Sequence, residues 1–274
     1  MTSRHRIGLI ASTTMIEARK SRVAWLLVAV ALIGLLRDAV AFRMVRTATA
    51  ASELAFANSL LQQMPYREFV ALSGSVQFLG FVLGAICINR DLGRRTISLY
   101  LARNVAMWEY VAGKLFGVLA WLGFCFVLAT LFTGTLGLVL KVRVGGVFFL
   151  AFVDGLVRLA LGTAVALALR LWAGSAFAAI GGALALLAPP WMAALVGPDE
   201  IYPLRVLGYV GALLLPSSLP ISIVREAFTA QTVDLPWGLV AASWAENLAY
   251  GVLLLGFSVV LGRRLTFEIE TTGD

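Results

Sequence analysis

Three charged residues, Asp154, Arg158 and Glu246, stand inside hydrophobic stretches of the sequence. A lone charge at the centre of a bilayer costs roughly 2.5 to 3.5 kcal/mol on insertion scales, so such side chains face a protein interior or a wet cavity. Asp154 and Arg158 are four residues apart, so on a helix they share a face and can form an ion pair. Two hypotheses follow: these residues line a translocation path, or Asp154 and Arg158 hold helices together while Glu246 is an interfacial carboxylate.

Residues for metal binding or covalent catalysis are scarce. His5 is the only histidine, which argues against a haem, a zinc site or a Ser-His dyad. Cys87 and Cys125 both lie in hydrophobic stretches, where a small packing role is ordinary. The hydroxyls of residues 73–75 could serve an intramembrane hydrolase, but no spanning histidine or close pair of aspartates supports one. We therefore predict no metal, no cofactor and no catalysis by this chain alone.

The composition is that of a membrane protein. Hydrophobic residues make up 60% of the chain and charged residues 14%, whereas a soluble domain has about a quarter of its residues charged. The formal net charge is +7, but the basic residues cluster at the ends of hydrophobic stretches and form no stripe interleaved with aromatics. We expect a lipid bilayer, and no nucleic acid, as the surroundings.

Hydrophobic stretches of about 20 residues suffice to cross the hydrocarbon core as helices. They predict an all-α integral membrane protein, a single domain over residues 1–274 with about six spans: 23–42, 69–88, 111–140, 147–169, 173–196 and 238–261. Residues 1–22 have a loose helical period that suits a cytoplasmic helix along the membrane interface.

Residues 197–237, before the last span, mix hydrophobic and polar positions. Their apolar core, 206–215, is too short to cross the bilayer. Five prolines interrupt this stretch: Pro198, Pro203, Pro216, Pro220 and Pro236. We predict a broken, re-entrant region on the extracytoplasmic side.

The distribution of Lys and Arg predicts the orientation of the chain. With the N-terminus inside, the inner segments hold thirteen basic residues and the outer segments eight. This bias places both termini in the cytoplasm.

The cytoplasmic segment 89–110 is the most polar internal stretch, with arginines at positions 90, 94, 95 and 103. Four of its residues are spaced so that they would share one face of a helix: Leu92, Thr96, Leu99 and Arg103. The spacing is typical of an amphipathic helix on the membrane face that could transmit force to a soluble partner. The alternative is an ordinary positive-inside loop.

A motif extends from the end of span two into span three. An acidic residue and a threonine are followed by Leu-x-Leu-Ala-Arg, by Trp-Glu-Tyr and by Gly-Lys, at Asp91, Thr96, Leu99, Leu101, Ala102, Arg103, Val105, Trp108, Glu109, Tyr110, Gly113 and Lys114. This motif, together with the six-span layout, resembles the type-2 permease family of ATP-binding cassette (ABC) transporters. Asn104 departs from the family, where a proline is usual, and Met107 stands where a basic residue is common.

The resemblance implies a function for this segment. In the family it forms a coupling helix that docks into a groove of the ATPase subunit, which implies that residues 92–104 carry this contact. The implied coupling residues are Leu92, Arg95, Thr96, Leu99, Arg103, Asn104, Trp108 and Glu109. Because Asn104 stands where the family usually has a proline, the resemblance does not define the residue at which the coupling helix ends.

The resemblance also implies the partners and the location. It implies a permease subunit, an exporter in the cytoplasmic membrane of a prokaryote, which pairs with a second permease chain as a homodimer. Two separate ATPase subunits would bind ATP and Mg.

The sequence agrees that ATP is bound elsewhere. It contains no phosphate-binding loop of the form Gly-x-x-x-x-Gly-Lys-Ser/Thr. Gly113-Lys114 is not part of one, because Trp108 occupies the position of the first glycine and Leu115 follows the lysine. The alternative function is an ion-gradient-driven secondary transporter, although such proteins often contain inverted repeats and we find none. A purely structural anchor would not need the three intramembrane charges.

Overall fold

The computed structural model describes chiefly residues 2–22, 72–92, 104–139, 145–172 and 237–271, with scattered positions within 25–43, 97–102, 181–182 and 203–216. These ranges contain five long helices and no strand. The helices are α1 (Ser3–Lys20), α2 (Leu72–Leu92), α3 (Met107–Val139), α4 (Gly145–Trp172) and α5 (Trp237–Thr271).

Among the described residues, α2 to α5 are each long and apolar enough to cross a membrane. The predicted all-α membrane fold is therefore confirmed, and these four helices coincide with predicted spans two, three, four and six. The spans predicted at 23–42 and 173–196, and the re-entrant region at 197–237, lie largely outside the described residues and stay predictions. At 33 residues, α3 is about 50 Å long, more than the hydrocarbon thickness requires.

At the starts of α1 and α3, backbone N–H groups donate hydrogen bonds to a backbone carbonyl and to a carboxylate. The carbonyl of Thr2 accepts the backbone N–H groups of His5 and Arg6 at 3.1 and 3.3 Å, which begins α1. At the start of α3, a carboxylate oxygen of Glu109 accepts the backbone N–H of Ala106 at 3.0 Å. This bond is one half of a capping box, and the negative charge also suits the positive end of the helix dipole.

Three of the helices run in the direction opposite to α3. The end of α2 contacts the start of α3 through Asp91 and Lys114. Leu171, near the end of α4, and Val259, late in α5, both pack against the cluster around Tyr110 at the start of α3. Helices α2, α4 and α5 are therefore antiparallel to α3. Because α4 and α5 are parallel, the last residue of α4 and the first residue of α5 lie at opposite ends of the bundle. This arrangement is consistent with the predicted span between them.

Glycines allow the helices to approach closely where lipid provides no hydrophobic driving force. A Cβ atom at Gly117 would lie 2.5 Å from the Cβ of Thr14 and 2.6 Å from the carbonyl oxygen of Ala11, so α1 packs directly on the backbone of α3. A Cβ at Gly80 would lie 2.8 Å from atoms of both Leu159 and Thr163. A close contact at a glycine therefore also joins α2 to α4.

The substitution Gly117→Val should separate α1 from α3. The added atoms cannot fit against Thr14 and Ala11, and overpacking of this kind costs about 1–3 kcal/mol. The matched control is Gly123→Ala, also on α3, where the new Cβ would meet only Leu159 at 3.9 Å. Thermal unfolding in detergent should show a lower Tm for Gly117→Val and an unchanged or higher Tm for Gly123→Ala. Equal Tm values would contradict the close packing.

Candidate functional site

The predicted coupling residues that the structure describes lie on three different elements. Leu92 belongs to the last turn of α2 and is exposed, whereas Trp108 and Glu109 belong to the first turn of α3. Asn104 lies in the connection just before α3. The remaining four lie outside the described residues: Arg95, Thr96, Leu99 and Arg103. The segment between α2 and α3 is thus 93–106, shorter than the predicted 89–110.

Asn104 ends a helical stretch in this segment. Tyr100 and Ala102 are helical, and the N–H of Val105 donates to the carbonyl of Tyr100 at 3.2 Å. With Asn104 at φ 57°, this is the pattern of a Schellman motif, in which one left-handed residue closes the helix. Proline cannot adopt a positive φ, whereas asparagine tolerates it better than most residues. The family's usual proline would therefore not fit this backbone, and the helix end is at Asn104.

Arg6 of α1 fastens this turn to α3. Its guanidinium donates to the carbonyl of Asn104 and lies 3.5 Å from the carboxylate of Glu109. The side chain of Glu109 is buried while that of Arg6 is partly exposed, so solvent screening weakens the pair. The contact matters mainly for geometry, because it places α1, the end of the segment and the start of α3 in one unit.

Lys114 is the centre of a buried charge cluster. Its ammonium lies 2.8 Å from the carboxylate of Asp91 and 3.5 Å from that of Glu17. The hydroxyl of Tyr110 donates to the same Asp91 carboxylate at 2.6 Å. The Lys114 side chain is only 2% exposed. A buried ammonium is tolerated only with such partners, so this cluster fixes α1, α2 and α3 against one another.

The sequence motif contains three of the four members of this cluster, but its spacing does not predict their contacts. Asp91, Tyr110 and Lys114 are motif positions, whereas Glu17 lies in the segment predicted to form an interfacial helix. The structure packs α1 along α3, with Ile10 beside Gly113, and the position of α1 at the membrane interface stays a prediction. The spacing Gly113-x-x-x-Gly117 was the available signal, because two small residues four apart form a groove for another helix.

The substitution Lys114→Met should destabilise the bundle strongly. It leaves the Asp91 carboxylate buried without its cation, which typically costs about 3–5 kcal/mol. The double variant Asp91→Asn/Lys114→Met removes both charges and should be closer to the native protein. Urea or thermal unfolding of the three proteins in detergent measures the difference. A double variant less stable than Lys114→Met would contradict the pairing.

A second polar cluster lies toward the opposite end of the bundle. The Nε of Arg158 donates to Asp154 at 2.6 Å, and another guanidinium nitrogen lies 3.4 Å from the side-chain oxygen of Gln77 in α2. The indole N–H of Trp244 in α5 donates to the other Asp154 oxygen at 3.2 Å. Asp154 and Arg158 are 3% and 7% exposed. The predicted ion pair is therefore present, and it joins three helices.

Glu246 does not take part in this cluster. It lies two residues after Trp244, which places it about 200° around the helix, and it is exposed. The predicted trio is therefore one buried pair and one separate carboxylate. The buried pair links α4 to Gln77 of α2 and to Trp244 of α5.

The chemistry available at these two clusters is ion pairing and hydrogen bonding. Among the described residues, no group of three or more His, Cys, Asp and Glu side chains could hold a metal ion. Both clusters lie at contacts between helices. They are suited to transmit displacement between helices.

The substitution Arg158→Met should impair assembly. It leaves Asp154 buried in the bundle with only the Trp244 hydrogen bond, at a cost of about 3–5 kcal/mol. Glu246→Gln is the control, because this substitution removes a charge that is exposed and not buried between helices. The yield of folded Glu246→Gln protein should be unchanged. Size-exclusion profiles in detergent report both. Normal assembly of Arg158→Met would show that the pair does not hold the helices together.

Comparisons with known proteins give no match. No protein-family model, no curated protein and no solved structure is similar to the chain at a significant level.

Proposed function

We propose that this chain is the transmembrane subunit of an ABC transporter, an exporter that couples ATP hydrolysis on a separate subunit to substrate movement. The observation that carries the proposal is the arrangement of the motif residues. The ion pair of Asp91 and Lys114 joins the two helices that flank segment 93–106. Gly113 allows α1 to pack closely on α3, and the carboxylate of Glu109 caps the start of α3. A segment held in this way moves together with its helices.

The mechanism follows from these contacts. A partner that pushes on segment 93–106 displaces the ends of α2 and α3, since the Asp91–Lys114 pair prevents them from separating. α2 transmits the displacement toward the opposite end, where Gln77 meets Arg158 of α4. Trp244 then connects Asp154 to α5. A movement at one end is thereby linked to three helices at the other.

The proposed assembly contains two permease chains and two ATPase subunits. The energy source is on the partner, because the sequence has no phosphate-binding loop. ATP and Mg bind there and not on this chain. The location is the cytoplasmic membrane, with segment 93–106 facing the cytosol according to the positive-inside rule.

One observation favours a second candidate, an ion-gradient-driven transporter. The buried pair of Asp154 and Arg158 is of the kind that couples to ions or protons within membranes. In that case the chain would need no soluble partner. The presence of an ATPase partner therefore distinguishes the two candidates.

We expect the tagged chain to co-purify from native membranes with a phosphate-loop ATPase in stoichiometric amount. The complex should hydrolyse ATP, and the chain alone should not. Identification of the co-purifying proteins and an ATPase assay measure both. An ATPase-free preparation from intact membranes would support the gradient-driven candidate.

The substitution Leu99→Asp should abolish this co-purification. It places a charge in the segment that the resemblance implies docks into the ATPase, and an unpaired charge buried at that contact is strongly unfavourable. Leu99→Met is the matched control, because it retains an apolar side chain of similar size. Both variants should elute as the native chain does in detergent. If the Leu99→Asp variant still co-purified with the ATPase, segment 93–106 would not be part of the interface.

A further inference from the structure

The helical stretch that ends at Asn104 is joined to α3 by three residues, 104–106, which form a hinge. Asn104 has a left-handed φ of 57°, and the N–H of Val105 donates back to the carbonyl of Tyr100. The carbonyl of Ala106 instead accepts two N–H groups of α3. Among the described residues, no backbone hydrogen bond passes from the helical stretch to α3. The backbone ladder that stiffens a continuous helix is therefore interrupted at the hinge.

The side chain of Arg6 in α1 bridges this hinge. One guanidinium nitrogen, Nη1, donates to the carbonyl oxygen of Asn104 and lies 3.5 Å from a carboxylate oxygen of Glu109. The same carboxylate oxygen accepts the N–H of Ala106 at 3.0 Å. One nitrogen therefore links the last residue of the helical stretch to the first turn of α3. A guanidinium suits this position, because each of its terminal nitrogens carries two N–H donors.

Helix α1 is a fixed base for the Arg6 bridge. Four residues after Arg6, Ile10 lies against Gly113 of α3, where an added Cβ would come within 2.6 Å of the Ile10 side chain. Near the other end of α1, Glu17 lies 3.5 Å from the buried ammonium of Lys114. These contacts do not involve segment 93–106. The bridge therefore holds the segment to a helix that is attached to α3 independently.

The other described contacts of the helical stretch are apolar or aromatic. Ile97 is buried in a cluster with Ile10 and Tyr110, and the ring of Tyr100 lies 5.6 Å from that of Tyr110, between centroids. Apolar contacts are non-directional, so they keep the stretch against α3 without fixing its angle. Hydrogen bonds have a preferred direction. The bond from Arg6 to Asn104 is therefore the contact that sets the angle of the hinge.

We propose that Arg6 is a positioning residue that holds the hinge at one angle, so that force on segment 93–106 reaches α3. The nature of the partner that applies this force rests on the proposed function. With the Arg6 bridge formed, the helical stretch and α3 move as one unit. Without the bridge, the stretch turns about the hinge, and its displacement is not passed on to α3.

A pair of spin labels measures the hinge on the full chain in lipid nanodiscs. Cysteines replace Ala102, which is exposed in the helical stretch, and Phe124, which is exposed on α3, in a Cys87→Ala/Cys125→Ala chain. Arg6→Gln has no charge and is too short to form the bridge. It should broaden the distribution of label-to-label distances about twofold or more, because a released hinge samples several angles. Arg6→Lys keeps a cation of similar reach and should restore most of the native distribution.

Arg4→Gln is the matched control. It removes the same charge from an exposed position of α1 that lies about 160° around the helix from Arg6, and it should leave the distribution unchanged. A native distribution in Arg6→Gln, or equal broadening in Arg4→Gln, would overturn the proposal. Failure of Arg6→Gln to elute in detergent as the native chain does would also overturn it, because a bridge that only sets the hinge angle leaves the bundle folded.

The spin-label measurement needs no ATPase, so it separates this inference from the proposed function. Broadening in Arg6→Gln, in a chain that co-purifies with no ATPase, would support the hinge and contradict the proposed partner. A native distribution in Arg6→Gln, in a chain that does bind an ATPase, would support the transporter and contradict the role of Arg6.

Discussion

The buried ammonium of Lys114 sets the geometry on which the rest of the bundle depends. A charge that is removed from water must be matched by its surroundings, and here Asp91 of α2 and Glu17 of α1 provide the match. Three elements that are distant in sequence are thereby brought to one point. The tight packing of α1 on α3 at Gly117 is possible only in the register that these ion pairs fix.

The second polar cluster applies the same physics at the other end of the bundle. Asp154 and Arg158 neutralise each other, and Gln77 and Trp244 satisfy further hydrogen bonds. Between the two clusters the helices pack closely, as at Gly80 of α2, where an added Cβ atom would lie 2.8 Å from the side chain of Leu159 of α4. Because apolar contacts in lipid permit sliding, the polar clusters are what specify which helices are neighbours.

The motif that suggested a transporter has a local structural meaning of its own. Gly113 provides the groove for α1, Glu109 caps α3, and Tyr110 holds the carboxylate of Asp91. At Asn104 the departure from the family pattern is explained by the backbone, since its φ of 57° is closed to proline. The motif is therefore a set of residues that anchors segment 93–106, and the proposed coupling function rests on that anchorage.

Long apolar stretches were enough to predict a helical membrane protein, because bilayer thickness and backbone hydrogen bonding leave few other solutions for them. The same local reasoning predicted that Asp154 and Arg158 can pair, because a spacing of four residues places both on one face of a helix. The three-dimensional arrangement was needed to show that Lys114 meets Asp91 and Glu17, that Glu246 stands apart from the buried pair, and that α1 packs along α3. These facts depend on which helix faces are neighbours, and residues distant in sequence carry no local periodicity that reveals it.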